Sequence, residues 1–88
     1  MSPQEILNKV GIDAEVVEED SKQVAYLEDS DEFAKAYTKF NNSDLVDLDP
    51  SSIIMTEEKS VMLFISDDYD ITLEGNYDTD EYKITFEE

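Results

Sequence analysis

The sequence predicts an α+β domain in which two short helices pack on an antiparallel β-sheet of about five strands. Capping residues frame two short amphipathic segments in the first half of the chain, which indicates the helices. Short runs rich in β-forming residues, separated by turn residues, fill the second half. The expected order is helix, strand, helix and then four strands in an antiparallel meander, and residues 1–88 form a single domain.

The first predicted helix begins after Ser2, which has the character of an N-cap. Pro3 suits the first helical position, and Glu5, three residues after Ser2, completes a capping box. An apolar stripe follows and Gly11 supplies the stop. These signals predict a helix of about two turns.

Residues 15–19 are β-branched and acidic, and a turn-like break at Asp20 and Ser21 separates them from residues 22–27. The pattern fits either one long interrupted strand or a small hairpin. We expect extended structure on both sides of the break, and the pairing stays open.

The second predicted helix starts at an acidic cap, either Asp29, with Glu32 three residues later, or Ser30. An apolar stripe at the spacing i, i+4 and i+7 follows: Phe33, Tyr37 and Phe40. The turn-forming residues 41–43 end the helix.

Four strands are predicted after Pro50, at residues 53–56, 61–65, 70–74 and 82–86. The gaps between them are short, which favours antiparallel hairpins between neighbours.

The strand at residues 61–65 is the longest apolar run and the expected centre of the sheet. Because successive side chains point to opposite faces, Val61, Leu63 and Ile65 share one face. Met62 and Phe64 share the other. A helical layer covers only one face, so the second is either under another layer or open as a pocket.

The charge balance is strongly acidic, with 24 Asp and Glu against six basic residues, all Lys, and a formal net charge of -18. Affinity for phosphate comes from Lys and Arg, so this balance argues against binding of nucleic acids or anionic membranes. A basic protein surface is the natural complement. Repulsion between copies predicts a monomer that forms 1:1 complexes.

The chain contains no His, Cys or Arg, which leaves carboxylates, hydroxyls and Lys as the only reactive groups. We expect a protein that is not an enzyme and has no catalytic residues and no cofactor. Absence of Cys fits a reducing compartment. The N-terminal residues lack signal-peptide character and no apolar run approaches about 20 residues, so we expect a soluble cytoplasmic protein.

Two acidic stretches have some of the character of metal sites. Four residues match positions of a calcium-binding loop: Asn76, Asp78, Asp80 and Glu87. However, Glu81 stands where that loop needs Gly, so a solvated hairpin tip is the favoured interpretation. The cluster Asp67, Asp68 and Asp70 is likewise interpreted as a turn, and no metal site is predicted.

The acids have two interpretations. They either keep a small protein soluble or stand in for DNA phosphates. Alternate residues on a strand place carboxylates about 6 to 7 Å apart, which is comparable to successive phosphates on an extended backbone. Acids before and within the first turn of the second helix, Glu28, Asp31 and Glu32, add a second row.

The central strand resembles that of the phage-encoded uracil-DNA glycosylase inhibitors, which are small acidic DNA mimics. Val61-Met62-Leu63, then two residues, then Ser66-Asp67 carry the resemblance. Other matching segments agree in order: Val16-Val17 leading to an acid and Ser21, Ser52-Ile53-Ile54, and Lys83-Ile84.

The resemblance implies two sets of partner-binding residues. The acidic and polar set that it implies is Glu19, Asp20, Ser21, Glu32 and Asp67, to which the neighbouring acids Glu28 and Asp31 are added as candidates. The second set, implied to form an apolar pocket between sheet and helix, is Phe33, Tyr37, Met55, Met62 and Phe64. The alternative is that Met62, Phe64, Phe33 and Tyr37 fill the core between the second helix and the sheet.

The resemblance therefore predicts an inhibitor that blocks the DNA-binding cleft of a host bacterial uracil-DNA glycosylase, as part of evasion of host defence. A second hypothesis keeps the mimicry but changes the target to a CRISPR effector, a restriction enzyme or a toxin nuclease. A third is an acidic interaction domain with no role related to DNA.

Overall fold

The computed structural model describes residues 1–88, which form two α-helices and seven strands. The helices are α1 (Pro3–Val10) and α2 (Ser30–Asn41). The strands are β1 (Val16–Glu19), β2 (Lys22–Leu27), β3 (Asp47–Leu48), β4 (Ile54–Met55), β5 (Lys59–Ile65), β6 (Asp70–Asn76) and β7 (Glu81–Glu87). A 3₁₀ turn, η1 (Pro50–Ser52), separates β3 from β4. The predicted α+β class is confirmed, with more strands than expected.

The strands form one antiparallel sheet in the order β1-β2-β7-β6-β5-β3, and β4 also pairs with β5. Strand β7 lies in the interior of the sheet, because Ile84 pairs with Ala25 on β2 and with Leu73 on β6. The β5–β6–β7 meander follows the sequence order, as predicted. The hairpin of β1 and β2 extends this meander through β7.

Both helices begin at the predicted caps. The Ser2 hydroxyl accepts from the Glu5 amide at 3.2 Å, and the Glu5 carboxylate accepts from the Ser2 amide at 3.0 Å. These bonds, the one from the Ser2 backbone first, lower the pKa of Glu5. The cap of α2 is Asp29, whose carboxylate accepts from the Glu32 amide at 2.9 Å. The choice between Asp29 and Ser30 is thereby decided.

The break at Asp20 and Ser21 is a hairpin turn, not an interruption of one strand. The backbone of both residues is in the left-handed region, with φ of 50° and 66°. Positive φ at both central residues defines the type I′ turn, whose twist matches that of the flanking strands. The structure thus corrects the expected order, since two strands rather than one precede α2.

The edge beside β5 departs from the predicted single strand at 53–56. Strands β3 and β4 pair with opposite ends of β5, and η1 bulges out between them. The Ser52 hydroxyl accepts from the Leu63 amide at 3.0 Å, so a side chain replaces a backbone acceptor at the bulge. The Asp49 amide donates to the Leu63 carbonyl at 2.9 Å. A bulge of this kind protects a sheet edge from pairing with another chain.

The hydrophobic core lies on one side of the sheet, under both helices. The helices contribute Ile6, Leu7, Phe33, Ala36 and Phe40. The sheet contributes Ala25, Leu27, Met62, Phe64, Ile71, Leu73, Tyr82, Ile84 and Phe86. No helix packs on the opposite face, which we call the outer face. Neither helix is long and apolar enough to cross a membrane.

Candidate protein-binding surfaces

The helix-facing side of β5 is filled. Met62 and Phe64 are 1% and 0% exposed. The ring of Phe64 packs against Phe40 at a centroid distance of 5.2 Å and against Tyr37 at 6.4 Å. These rings from α2 occupy the volume above the strand, so no partner side chain can enter there without displacing core residues.

The other two members of the predicted pocket do not open it. Phe33 is 5% exposed and its ring lies 5.6 Å from that of Tyr82. Met55 is 63% exposed at the sheet edge, where it pairs with Ser60. The prediction of one open pocket lined by Phe33, Tyr37, Met55, Met62 and Phe64 is wrong. Bulky aromatic side chains fill the space, which confirms the core interpretation for Phe33, Met62 and Phe64.

The uncovered apolar surface is the other side of β5. We call it the β5 patch, defined by Val61, Leu63 and Ile65 together with Ile54, which pairs with Val61. Ile65 and Ile54 are 45% and 50% exposed, while Val61 and Leu63 are half-buried. Alternation in the sequence identified two apolar faces of this strand. The structure shows that the Val61 face is the open one.

One end of the β5 patch is acidic. Ile65 pairs with Asp47 on β3 and with Asp70 on β6, so three side chains stand side by side on the outer face. Asp47 and Asp70 are both exposed, and no cationic group lies within 4.0 Å of either. At the other end, Val61 pairs with Glu74, which contacts Lys83 at 4.0 Å.

Part of the predicted acidic set lies at the β1–β2 turn. We call Glu19, Asp20 and Ser21, together with Asp67, the hairpin-tip cluster. Asp67 lies in the β5–β6 turn, which ends at the same side of the sheet. The two turns are three strand spacings apart, about 14 Å. Glu19 has a local partner, because its carboxylate accepts from the Tyr26 hydroxyl at 2.7 Å.

The rest of the predicted acidic set lies at the opposite end of β2, where α2 begins. Glu28 and Glu32 line a groove of about 460 Å³ with Asp13, Glu15 and Tyr26. We call this the acidic groove. Asp31 is exposed in the same first helical turn. Negative charge is favourable here because it faces the positive end of the helix dipole.

Sequence reasoning missed Asp13 and Glu15. They belong to the segment between α1 and β1, which carries no motif of its own. Hydrogen bonds from the Gln4 side chain on α1 hold that segment beside the end of β2. The Gln4 side chain donates to the Ala14 carbonyl at 3.0 Å and accepts from the Val16 amide at 3.0 Å. These contacts, together with the pairing of Val16 with Ala25, bring the two acids to the groove.

The predicted acidic residues therefore form two separate clusters. The six residues of β2 separate the hairpin tip from the acidic groove, a distance of about 20 Å. Glu18 and Glu19 are exposed on β1, the edge strand between the two. The hairpin thus presents carboxylates at both ends and along its free edge.

Few carboxylates are paired within the protein. Only Glu32, Asp68, Glu74 and Glu87 lie within 4.0 Å of a cationic group, so 20 of the 24 acids have no ion pair. Pairs between exposed groups such as these contribute about 0 to 1 kcal/mol each. No group of three or more acids is arranged to hold a metal ion. The acidic stretches form the turns at residues 66–69 and 77–80, and Asp70 and Asn76 are the end residues of β6.

Comparison with known proteins finds no relative of this chain. No protein-family model, curated protein sequence or solved structure matches the chain. The role of these surfaces is therefore inferred from the chain's own residues and charge.

Proposed function

We propose that this protein is an inhibitor that binds the DNA-binding surface of a basic enzyme and presents carboxylates in place of phosphates. The observation that carries the proposal is the set of 20 acids without an ion pair, in a protein of net charge -18. Self-repulsion on this scale works against the folded state. A surface rich in Lys and Arg relieves that repulsion on binding.

The positions of the carboxylates support a contact with an extended cationic surface. The hairpin-tip cluster and the acidic groove lie about 20 Å apart, which is the length that about six phosphates of one strand occupy along the axis of a DNA duplex. The acids of β1 lie between them on an exposed edge. A cleft that holds DNA through several phosphates can contact such a hairpin at several points.

The resemblance of the central strand indicates uracil-DNA glycosylase as the target, so this enzyme is the first to test. The resemblance also implied an apolar pocket on the helix-facing side of β5, but core residues fill that side. The proposal therefore does not rely on such a pocket. We therefore extend the proposal to DNA-binding enzymes as a class, which includes restriction enzymes, nucleases and CRISPR effectors. The proposed inhibitor is a monomer that acts by 1:1 binding, with no catalytic step and no cofactor.

The test is an inhibition assay with purified bacterial uracil-DNA glycosylase and, in parallel, a nuclease panel, at two salt concentrations. A fourfold variant, Asp20→Asn, Asp67→Asn, Glu28→Gln and Glu32→Gln, neutralises both acidic surfaces. The control, Asp44→Asn with Glu57→Gln, removes exposed acids outside both. Urea denaturation of each variant verifies that it is folded.

We expect complete inhibition of at least one enzyme near one equivalent. The fourfold variant should lower the association rate constant by at least about tenfold and flatten its salt dependence. The control should change the rate by less than about threefold, because it removes only two charges away from the contact. Absence of inhibition and of binding across the whole panel would overturn the proposal.

A further inference from the structure

The β5 patch is an apolar surface that the fold leaves without a partner. Ile54 and Ile65 expose about half of their surface on the outer face, and Val61 and Leu63 lie between them, half-buried. Next to Ile54 in the sequence, Met55 is 63% exposed but lies on the helix-facing side at the sheet edge, because it pairs with Ser60. Contiguous exposed apolar residues on a small soluble protein are typical of an interaction site.

Apolar exposure is concentrated at this edge of the outer face. In the middle of the sheet the same face carries Thr72 and Thr85, which pair with each other. At the far edge Val17 and Tyr26 are exposed, but Val24 is only 5% exposed and the Tyr26 hydroxyl is bonded to Glu19, so this edge offers no contiguous aliphatic surface. The patch is thus a local feature of β4 and β5, not a general property of the outer face.

A second copy of this chain fits the patch poorly. The four side chains of the β5 patch are each exposed by 50% or less and present a smaller area than the roughly 800 Å² per partner that a stable interface buries. Charges around the patch must therefore contribute. In a symmetric dimer Asp47 and Asp70 would approach acids of the other copy, each copy carrying a net charge of -18. That repulsion argues for a cationic occupant.

We propose that the β5 patch binds a cationic amphipathic helix, whose aliphatic side chains cover Ile54 and Ile65 and whose Lys or Arg residues face Asp47 and Asp70. From Val61, the partner of Ile54, to Ile65 the strand advances four residues, about 13 Å. Aliphatic residues at positions i and i+8 of a partner helix lie on one apolar face about 12 Å apart, which approximates this length.

The charge distribution orients the helix. The two flanking acids without an ion pair, Asp47 and Asp70, lie at the Ile65 end. At the other end, Lys59 begins the strand and the flanking acid Glu74 is paired with Lys83. The cationic residues of the occupant therefore belong at the Ile65 end. This inference rests on the proposed function only for the cationic character of the partner.

The experiment uses two designed helical peptides of about 18 residues, measured by calorimetry in about 150 mM salt. One peptide carries Leu on one face and Lys on the flank, and the other has Gln at every Leu position. Each is titrated into the wild-type protein and the double variant Ile54→Ser with Ile65→Ser. Val17→Ser is the control, since Val17 is 41% exposed on the same face but at the far edge.

We expect the Leu peptide to bind wild-type protein at least about tenfold more tightly than the Gln peptide. The double variant should bind the two peptides with similar affinity, and its affinity for the Gln peptide should stay within about twofold of the wild-type value. Val17→Ser should behave as wild type. Because both substituted side chains in the double variant are half-exposed, the fold should survive, which circular dichroism verifies.

Equal affinity for the two peptides, no binding of either, or full Leu-peptide affinity in the double variant would overturn the inference. A wild-type dimer in sedimentation that the double variant loses would also overturn it, in favour of a second copy as the occupant. No DNA-binding enzyme takes part, so failure of the proposed inhibition and failure of this inference give separate results.

Discussion

The Tyr26 hydroxyl lies 2.7 Å from both carboxylate oxygens of Glu19 and donates its proton to that carboxylate. The two residues lie on paired strands of the hairpin, and Val24 lies between them on the same face. Val24 is 5% exposed although no helix covers it. At the edge opposite to the β5 patch, the outer face therefore carries this hydrogen bond next to a Val24 side chain that is shielded from solvent.

The Tyr26 pKa is raised, first by the hydrogen bond to Glu19 and then by desolvation. A raised tyrosine pKa means that the pair stabilises the fold below a pH of about 10 and loses this effect as the pH rises through the folded-state value. Glu19→Gln should bring the Tyr26 titration back towards that of free tyrosine. NMR titration of the tyrosine ring carbons measures it, with Tyr26→Phe to assign the signal.

Glu18→Gln is the control for that titration. Glu18 precedes Glu19 on β1 and points to the other face, so its removal should leave the Tyr26 titration nearly unchanged. An equal shift in both variants would mean that general negative charge, and not the hydrogen bond, raises the Tyr26 pKa.

Two methionines on the helix-facing side of the sheet provide a matched test of where the core ends. Met62 is 1% exposed and Met55 is 63% exposed. Met62→Ala should lower the free energy of unfolding by about 2 to 5 kcal/mol, because it leaves a cavity under α2. Met55→Ala should change it by less than about 0.5 kcal/mol. Urea denaturation measures both, and similar losses would contradict the assignment of the core.

Gly75 tests the packing between β6 and α2. A Cβ added there would lie 2.9 Å from Cδ1 of Tyr82 and 3.0 Å from two ring carbons of Phe33. Gly75→Ala should therefore lower the free energy of unfolding by about 1 to 3 kcal/mol through overpacking. Phe33→Leu in the same chain should recover part of that loss, and a double-mutant cycle measures the coupling. Strict additivity would contradict the close contact.

Ser21 tests the hairpin turn. Its φ of 66° is in the left-handed region, where a non-glycine residue costs about 1 to 2 kcal/mol. Ser21→Gly should raise the free energy of unfolding by about 0.5 to 1 kcal/mol, once the entropy of glycine is subtracted. Ser21→Ala keeps the strain and should give no gain. Equal effects of the two substitutions on the urea midpoint would argue against the type I′ turn.

Salt should stabilise this protein. Raising the salt concentration from about 0.01 M to about 0.15 M shortens the screening length from about 30 Å to about 8 Å. Since the net charge is -18 and few acids are paired, salt screens more repulsion between carboxylates than attraction within ion pairs. The thermal midpoint should rise across this range. A fall would mean that the four ion pairs outweigh the repulsion.

The helix ends were predictable because each depends on residues within one turn. Ser2, Glu5 and Gly11 act on neighbouring backbone groups, as does Asp29 at the second helix. Long-range features were not predictable in this way. The pairing of β2 with β7, and the bulge in which Ser52 bonds to Leu63, depend on partners distant in sequence.

The candidate surfaces were predictable only in part, for a similar reason. Alternation assigned Met62 and Leu63 to opposite faces of one strand, but both faces are apolar and the pattern does not say which one α2 covers. The acids named from the sequence are exposed or half-buried as expected. Their division between the two ends of the hairpin follows from the type I′ turn, which the sequence left open.

Strand β7 has a consequence for synthesis of the protein. It joins the hairpin of β1 and β2 to the meander, and its register matches residues near 25 with residues near 84. A nascent chain that has reached only β6 has no strand to connect its two halves. The sheet therefore closes only after Phe86 has left the ribosome, and until then the hairpin and its carboxylates are tethered to an unfinished domain.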